Sequence, residues 1–311
     1  MASPFDGKVL VGAKVDYITL VMPLNLKAKP NFLRILEKLK MAGRLEIPRA
    51  RMGVIATIHD PTVKELSALV SAHPACRVEA LEVSVDFKPT SAVPRAATNT
   101  QTYQFLRHNL DPAKLPRFAG CRRTIYDASK RKMRRDRLGD RLTTGTLYWK
   151  EQTRYTQMRM YLKEKDHKVT LKAPFVRIEL TFYRGGCQAA NVSSLAGLPK
   201  FFKTVRVKFG AAFNVASGVK FNPTPSRAKA AGAGLSAADQ KQAKKLDAGF
   251  TKYGAMWCSD KRHLTAPDTK ANKRIAGALN KLARRYGKIK IGAEKERQIQ
   301  EVADGISAMW T

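Results

Sequence analysis

Three stretches of the chain alternate between apolar and polar residues, with the two-residue period of a β-strand. They are LEVSVDF (81–87), MRMYLK (158–163) and VRIELTF (176–182). Each stretch predicts a strand with an apolar face that can cover a core and a polar face on the other side. The three polar faces together carry a tyrosine, carboxylates and cations. A sheet with such a face can hold a divalent metal, a phosphate group and a nucleophile close together.

The carboxylates of this polar face predict a metal site. Glu82, Asp86 and Glu179 fall on the polar sides of the strands, and their oxygens are ligands that Mg²⁺ and Mn²⁺ prefer. Plainer interpretations stay open, because Glu82 and Asp86 can simply face water and Glu179 can form a cross-strand ion pair with Arg177. His59, at the end of another predicted strand, is either a further metal ligand or a locally bonded side chain.

The same face supplies a candidate nucleophile, Tyr161. Cleavage of a phosphodiester by a tyrosine requires that the phenol lose its proton and that the charge of the scissile phosphate be neutralised. A divalent metal would supply that neutralisation as a Lewis acid, and Arg159, Lys163 and Arg177 can hold neighbouring phosphates. The alternative is that Tyr161 belongs to a packed strand surface, which is the commoner role of a strand tyrosine.

The charge of the chain indicates a polyanionic partner. The 311 residues include 58 Lys and Arg against 25 Asp and Glu, a formal net charge of +33. Nucleic acid is the first candidate. An anionic membrane is the second, but the sequence has no lipidation motif and no long basic amphipathic N-terminus. Without an apolar run of 18 residues or a signal-peptide core, we expect a cytoplasmic protein.

The four cysteines are scattered without a CxxC pair. This spacing argues against a structural zinc site and against a disulfide framework.

The first part of the chain predicts an α+β fold. Residues 15–22, 31–43, 51–60, 62–73 and 77–87 have the patterns of strand, helix, strand, helix and strand. This order suggests a sheet with helices on one face, which leaves the other face open for a ligand.

Local signals refine this outline. Asp60 is the expected N-cap of the second helix, with Pro61 at the first helical position. A short helix is expected around Gln101–Asn109. The apolar pattern of residues 191–210 does not distinguish a helix from a strand.

Residues 122–141 form a strongly basic segment, with nine Lys or Arg against three Asp. We interpret it as a segment that contacts phosphates, because arginine pairs bidentately with them. The alternative is a solvated surface loop. The predicted DNA contacts here are Arg122, Arg123, Lys130, Arg131, Arg134 and Arg135.

The last part of the chain predicts a small basic helical domain. Residues 223–234 are small, basic and turn-rich, so they are the expected linker between domains 1–222 and 235–311. Ser236 and Asp268 are predicted N-caps, and a third helix is expected over residues 293–310. The predicted DNA contacts on the second helix are Lys273, Arg274, Lys281, Arg284 and Arg285. These helices suggest a DNA-docking bundle, or else a bundle that merely packs on the main domain.

Residues 148–163, followed by FVRIELTF (175–182), resemble the signature of trans-acting plasmid rolling-circle replication initiators. Conjugative relaxases and filamentous-phage initiators are related to this family. The residues that match its tyrosine-rich motif and its later Arg-x-Glu strand are Tyr148, Arg159, Tyr161, Lys163, Arg177 and Glu179. Asp86 stands at the acidic position of the family's earlier strand. The resemblance covers roughly residues 80–185.

The resemblance implies a metal-dependent nickase of origin DNA. Its tyrosine, here Tyr161, becomes linked to the 5′ end of the cut strand and frees a 3′-OH as primer. The implied cofactor is a divalent metal, Mg²⁺ or Mn²⁺. DNA is the implied partner, with a host helicase and a second copy of the chain as further candidates.

The chain departs from the family's pattern at several positions. Lys150–Gln152 stand where a Gly-Ser-Arg turn is usual, Leu162 replaces the usual acid, and a His-hydrophobic-His triplet is absent. Tyr148 and Tyr155 therefore stay open as alternative nucleophiles. Rival functions are a non-catalytic DNA- or RNA-binding protein such as a repressor, and a relaxase or transposase with the same chemistry.

Overall fold

The structure is a computed structural model of the chain. It describes residues 4–22, 30–47, 54–111, 123–127, 132–135, 145–150, 155–166, 169–212, 214–220, 236–255 and 264–289.

Nine strands within these ranges form one antiparallel sheet, in the order β2-β3-β1-β4-β10-β9-β8-β6-β7, and three short strands form a second sheet, β12-β11-β5. The strands in chain order are β1 (Val9–Met22), β2 (Leu45–Glu46), β3 (Val54–His59), β4 (Arg77–Pro89), β5 (Leu110–Asp111), β6 (Arg123–Asp127), β7 (Lys132–Arg135), β8 (Thr146–Lys150), β9 (Thr156–Asp166), β10 (Val169–Tyr183), β11 (Asn214–Lys220) and β12 (Leu264–Pro267).

Seven α-helices lie within the described residues. They are α1 (Pro30–Met41), α2 (Val63–Ala72), α3 (Arg95–Asn109), α4 (Arg184–Ala189), α5 (Leu198–Ala212), α6 (Ala237–Tyr253) and α7 (Thr269–Tyr286). No helix in these ranges is both long enough and apolar enough to span a membrane.

The apolar face of the sheet builds the core. Val83 and Val85 of β4, together with Ile178 of β10, are fully buried and belong to one cluster with side chains of α1, α2, α3, α5 and α7. Phe182 of β10, for example, meets Phe201 of α5 edge to face, with ring centroids 5.5 Å apart. This α+β layering confirms the predicted fold class, since the alternating strands turn their apolar sides toward the helices.

The N-cap of α2 differs from the prediction. Thr62, rather than Asp60, is the cap: its side chain accepts from the backbone N–H of Glu65, while the Glu65 carboxylate accepts from the backbone N–H of Thr62. This reciprocal capping box satisfies two amide groups at once. Asp60 instead has a positive φ of 45° at the turn into the helix.

Three further elements extend or correct the sequence outline. Helix α3 begins at Arg95 rather than near Gln101. Helix α5 begins within the ambiguous run over 191–210, and its Phe201 and Phe202 pack in the core against the sheet. The described parts of the basic segment, for which a surface loop is the alternative interpretation, are the last two strands of the sheet, β6 and the edge strand β7. Thr124, Ile125 and Tyr126 of β6 are residue types that favour a strand.

Helix α7 packs on the core of the sheet rather than standing apart from it. Ile275, Leu279 and Leu282 are buried in the main cluster, and the Tyr286 hydroxyl donates to the carbonyl of Pro61 at 2.7 Å. The predicted caps Ser236 and Asp268 are present. The proposed linker (223–234) and third helix (293–310) lie outside the described residues, so the division into two domains stays a prediction.

Candidate functional site

The polar face of the sheet is formed by β1, β4, β10 and β9, and the strand register aligns its side chains in three cross-strand rows. The rows are Gly12–Asp86–Arg177–Tyr161, Lys14–Ser84–Glu179–Arg159 and Tyr17–Glu82–Thr181–Gln157. The three alternating stretches identified in the sequence therefore contribute side chains to one continuous surface, because residues two apart in a strand share a face.

A bulge in β1 adds a residue to this face. Val15 pairs with Val83 and Tyr17 pairs with Glu82, so Asp16 is an extra residue between two consecutive pairs. The extra residue lets Asp16 and Tyr17 both reach the polar side, while Val15 and Ile18 stay buried in the core.

Three carboxylates meet at the centre of the face. Asp16, Glu82 and Glu179 can each offer an oxygen such that these oxygens lie within 4.8 Å of one another. The predicted ligand set contained Asp86 in place of Asp16, and this differs from the observed grouping. Asp86 lies in the neighbouring row, where Arg177 holds both its oxygens. Sequence periodicity missed Asp16 because the bulge breaks the alternation; the signal was the polar pair Asp16–Tyr17 between Val15 and Ile18.

The buried side chain of Arg177 links Asp86 to Asp16. It donates to Asp86 Oδ1 through Nε at 2.6 Å and to Asp86 Oδ2 through Nη2 at 3.0 Å, and its Nη1 donates to Asp16 Oδ1 at 2.6 Å. The side chain is only 1% exposed. It therefore lies below the surface that a DNA strand can reach, and its described contacts position the acids.

Arg159 covers the carboxylates from the solvent side. Its Nη2 lies 2.7 Å from Glu179 Oε2 and donates to Glu82 Oε2 at 3.0 Å. The side chain is 33% exposed, so this guanidinium can also meet a phosphate from solution. It lies between two of the three carboxylates that would hold a metal ion.

Tyr161 is the tyrosine that contacts this acid group directly. Its hydroxyl donates to Glu179 Oε1 at 2.5 Å. Burial, and next the negative charge of Glu179, raises the pKa of Tyr161. The phenol is therefore protonated at neutral pH, and a carboxylate that can accept its proton lies within hydrogen-bond distance.

Crowding of negative charge also changes the acids. Burial, followed by the charge of Glu179, raises the pKa of Glu82 to about 8, and burial raises the pKa of Glu179 as well. Burial acts in the same direction on Asp16, but Arg177 and Lys14 outweigh it and lower the pKa of Asp16. A cation bound between two such carboxylates would favour their ionised forms and reduce the repulsion between them.

The donor set fits a hard divalent metal. Three carboxylate groups offer oxygen ligands in the number that Mg²⁺ and Mn²⁺ bind in protein sites, and Glu179 Oε2 is a buried oxygen without a well-oriented hydrogen bond among the described residues. These residues would hold the metal in competition with Arg159.

Among the described residues, three other groups considered in the sequence do not contact the acid group. Lys163 is buried and pairs with Asp166 at 2.7 Å. His59, considered as a metal ligand, lies 3.4 Å from the Glu46 carboxylate instead. Cys76 and Cys187 are buried and free.

The alternative nucleophiles lie further from the acids. Tyr148 is paired with Arg159 in the register of β8 and β9, and β8 lies two strands away from β10, which carries Glu179. Tyr155 is 45% exposed, and its ring lies directly against Gly185 of α4. Tyr17, which the sequence did not single out, faces Glu82; burial and the charge of Glu82 raise its pKa.

The predicted DNA contacts divide between two regions. Arg123 is in β6, and Arg134 and Arg135 are in the edge strand β7, while Arg122, Lys130 and Arg131 lie outside the described residues. On α7, the predicted contacts are exposed: Lys273, Arg274, Lys281, Arg284 and Arg285. Of these, Arg274 donates to the carbonyl of Val9.

The sequence matches no protein-family model and no curated protein sequence. Among solved structures, the chain is similar to a rolling circle replication initiator protein from Geobacillus stearothermophilus, with a TM-score of 0.40 and 12% sequence identity. The similarity covers 76% of this chain and 97% of that chain. It is too weak to assign a family or an activity, so the function has to be inferred from the site itself.

Proposed function

We propose that the polar face is the active site of a metal-dependent tyrosine DNA endonuclease, which nicks one strand at a replication origin as rolling-circle initiators do. The observation that carries this proposal is the hydrogen bond from Tyr161 to Glu179, within a group of three carboxylates. A candidate nucleophile, a proton acceptor and a set of possible metal ligands thereby lie together on the polar face of the sheet.

In the proposed reaction, Glu179 accepts the phenolic proton and the Tyr161 oxygen attacks the scissile phosphorus. A bond forms between the tyrosine oxygen and the 5′-phosphate, and the bond to the 3′-oxygen breaks. The leaving 3′-oxygen takes up a proton and becomes a 3′-OH primer. Because the phosphotyrosyl ester keeps the energy of a phosphodiester, the same site can rejoin ends.

Asp16, Glu82 and Glu179 would hold a Mg²⁺ or Mn²⁺ ion. Such an ion supplies Lewis-acid neutralisation of the scissile phosphate. Arg159 is a partly exposed cation next to two of these acids, so it would bind a non-bridging phosphate oxygen. Arg177 keeps Asp16 and Asp86 in position from below the surface.

A covalent-attachment assay tests this proposal. The protein is incubated with supercoiled DNA of its own replicon, with and without Mn²⁺, and run on a denaturing protein gel. A nuclease-sensitive shifted band is expected only with metal. Tyr161→Phe should reduce the band to background, because Tyr161 is the tyrosine whose hydroxyl donates to Glu179 of the acid group.

The matched control is Tyr183→Phe. Tyr183 lies on the same polar face of the sheet as Tyr161, but its hydroxyl donates to Gln157 instead of a carboxylate. It should retain the band. If Tyr161→Phe retains the band as well, the nucleophile is another tyrosine, and Tyr148→Phe and Tyr155→Phe identify it.

A second candidate function is a DNA-binding protein without catalysis. Arg159 and Arg177 already neutralise the carboxylates of the polar face, so the same cluster is also compatible with a purely structural ion-pair network. Tight DNA binding without any metal-dependent covalent band on replicon DNA would favour this function.

A further inference from the structure

Helices α5 and α7 form a basic surface whose cations outnumber the acids beside them, although Lys270 pairs with Asp6 at 2.8 Å. Helix α5 carries four Lys or Arg and helix α7 carries six, and neither helix contains an Asp or Glu. Within the described part of the chain, Arg206, Lys273 and Arg284 have no ion-pair partner.

The two helices are neighbours and run in opposite directions. Phe202 near the start of α5 stacks against Tyr286 at the end of α7, with ring centroids 4.9 Å apart. Further along α5, Arg206 lines the same groove as Lys273 from the first half of α7. The cations of both helices therefore belong to one surface, which we call the α5–α7 surface.

This surface lies on the opposite side of the sheet from Tyr161. Both helices bury their apolar residues against the apolar sheet face, whereas Tyr161 and Glu179 are on the polar face. A helix layer packs about 10 Å from a sheet and adds its own radius of about 5 Å. A straight duplex that contacts the α5–α7 surface thus cannot also enter the polar face.

Bending one duplex around the protein is expensive. DNA has a persistence length of about 150 base pairs, and even bends of 40–90° over a short site cost roughly 1–6 kcal/mol. A separated single strand, by contrast, is flexible enough to reach the opposite face.

We infer that the α5–α7 surface is a duplex-DNA docking site, separate from the site at Tyr161. It binds the phosphate backbone without reading sequence, while the polar face receives a separated strand. The inference rests on the proposed function only in taking DNA as the partner. Duplex DNA is favoured over an anionic membrane because, among the described side chains of both helices, Val207 is the only exposed large hydrophobic.

The test measures binding of a short random-sequence DNA duplex by fluorescence anisotropy, without metal and over a range of salt concentrations. The surface variant is the triple substitution Arg206→Gln, Lys273→Gln and Arg284→Gln. We expect an affinity loss on the order of tenfold or more at low salt. A plot of log affinity against log salt has a negative slope, and this slope should become shallower by about 0.9 for each phosphate that the variant no longer neutralises.

The matched control removes three exposed cations from α6, which packs beside β11: Lys241→Gln, Lys244→Gln and Lys245→Gln. Both variants have the same net charge, so a difference between them reports location. Equal losses in the two variants would overturn the inference, because affinity would then follow net charge alone.

Two further measurements keep the outcome distinct from the nicking proposal. Tyr161→Phe should bind the random duplex as tightly as the wild type, whether or not Tyr161 is the nucleophile. Binding to phosphatidylserine vesicles is measured in parallel. If the surface variant loses vesicle binding but keeps duplex binding, the α5–α7 surface faces a membrane and the inference is wrong.

Discussion

Arg159 and Arg177 contact the same acid cluster but differ in exposure, and this difference separates their roles. Arg177 is buried beneath Asp16 and Asp86. Removing one partner of a buried pair generally costs about 3–5 kcal/mol, because the other charge is left uncompensated. Arg159 is one-third exposed, so water can compensate its loss. Arg159 is therefore the residue at which the acid cluster can be tested without unfolding the protein.

We predict that Arg159→Gln raises the affinity of the DNA-free protein for Mn²⁺. The guanidinium contacts two of the three carboxylates, so a metal must displace it in order to bind them. A partly exposed charge pair stabilises the metal-free protein by about 1–2 kcal/mol, and its removal should therefore raise Mn²⁺ affinity roughly tenfold. Titration of free Mn²⁺ by electron paramagnetic resonance measures the change.

Lys163→Gln is the control for this prediction, because it removes one positive charge from the same strand face but from a lysine paired with Asp166. It should leave Mn²⁺ affinity nearly unchanged. Unchanged or weaker Mn²⁺ binding in Arg159→Gln would show that this arginine does not compete with a metal at the acid group.

At the scale of the element, the bulge in β1 decides which acids meet. A regular strand would place alternate residues on the polar face, and Asp16 and Tyr17 would then point to opposite sides. The bulge allows both to join the polar rows while Val15 and Ile18 keep their places in the core. Bulges commonly redirect a side chain next to a functional site.

We predict that deletion of Asp16 leaves the sheet intact and removes the metal site. Val15 and Tyr17 pair with the consecutive residues Val83 and Glu82, so the deletion converts the bulge into a regular ladder. The deletion also removes one backbone hydrogen bond, from Asp60 N–H to the Asp16 carbonyl, at a cost of about 1 kcal/mol. It further removes the ion pair between Asp16 and the buried Arg177, but Arg177 keeps its two hydrogen bonds to Asp86. Circular dichroism and urea unfolding check the fold, and Mn²⁺ titration checks the site.

Asp16→Asn serves as the companion variant, since it keeps the bulge and removes the charge. Both variants should lose Mn²⁺ binding. A deletion variant that fails to fold, beside a folded Asp16→Asn protein, would mean that the bulge itself stabilises the sheet.

At the scale of the whole molecule, one core joins the N-terminal strands to the C-terminal helix. Helix α7 donates to the backbone of Val9 through Arg274 and buries Leu279 in the same cluster as the residues of β4 and β10. The positive charges of α5 and α7 therefore lie on the helical side of the sheet, opposite the polar face that holds the carboxylates. Among the described residues, Arg159 and Arg177 of the polar face are paired with carboxylates, whereas α5 and α7 carry four and six Lys or Arg and no Asp or Glu.

We predict that Leu279→Ala destabilises the entire sheet by about 2–5 kcal/mol, the usual cost of this truncation in a packed core. Hydrogen exchange should show faster opening of the amides of β4 and β10 by the same free energy, although Leu279 lies in the predicted C-terminal domain. If the exchange of these strands is unchanged, residues 235–311 fold as an independent unit.

Much of the element structure follows from local sequence. The period-two alternation over residues 81–87, 158–163 and 176–182 determines which side chains share a face, because it depends only on the geometry of an extended chain. The strand–helix order of the first 87 residues, and the caps at Ser236 and Asp268, are likewise local signals and are found in the structure.

The sequence by itself thus determined the α+β class, the polar sheet face and the neighbourhood of Tyr161, Arg159 and Glu179. Tertiary structure decided the rest. Strand register and a bulge brought Asp16 to the acid group and left Asp86 with Arg177. Packing, too, placed α7 on the sheet. Such outcomes depend on contacts between residues far apart in the chain, and neither periodicity nor composition encodes which strand pairs with which or in what register.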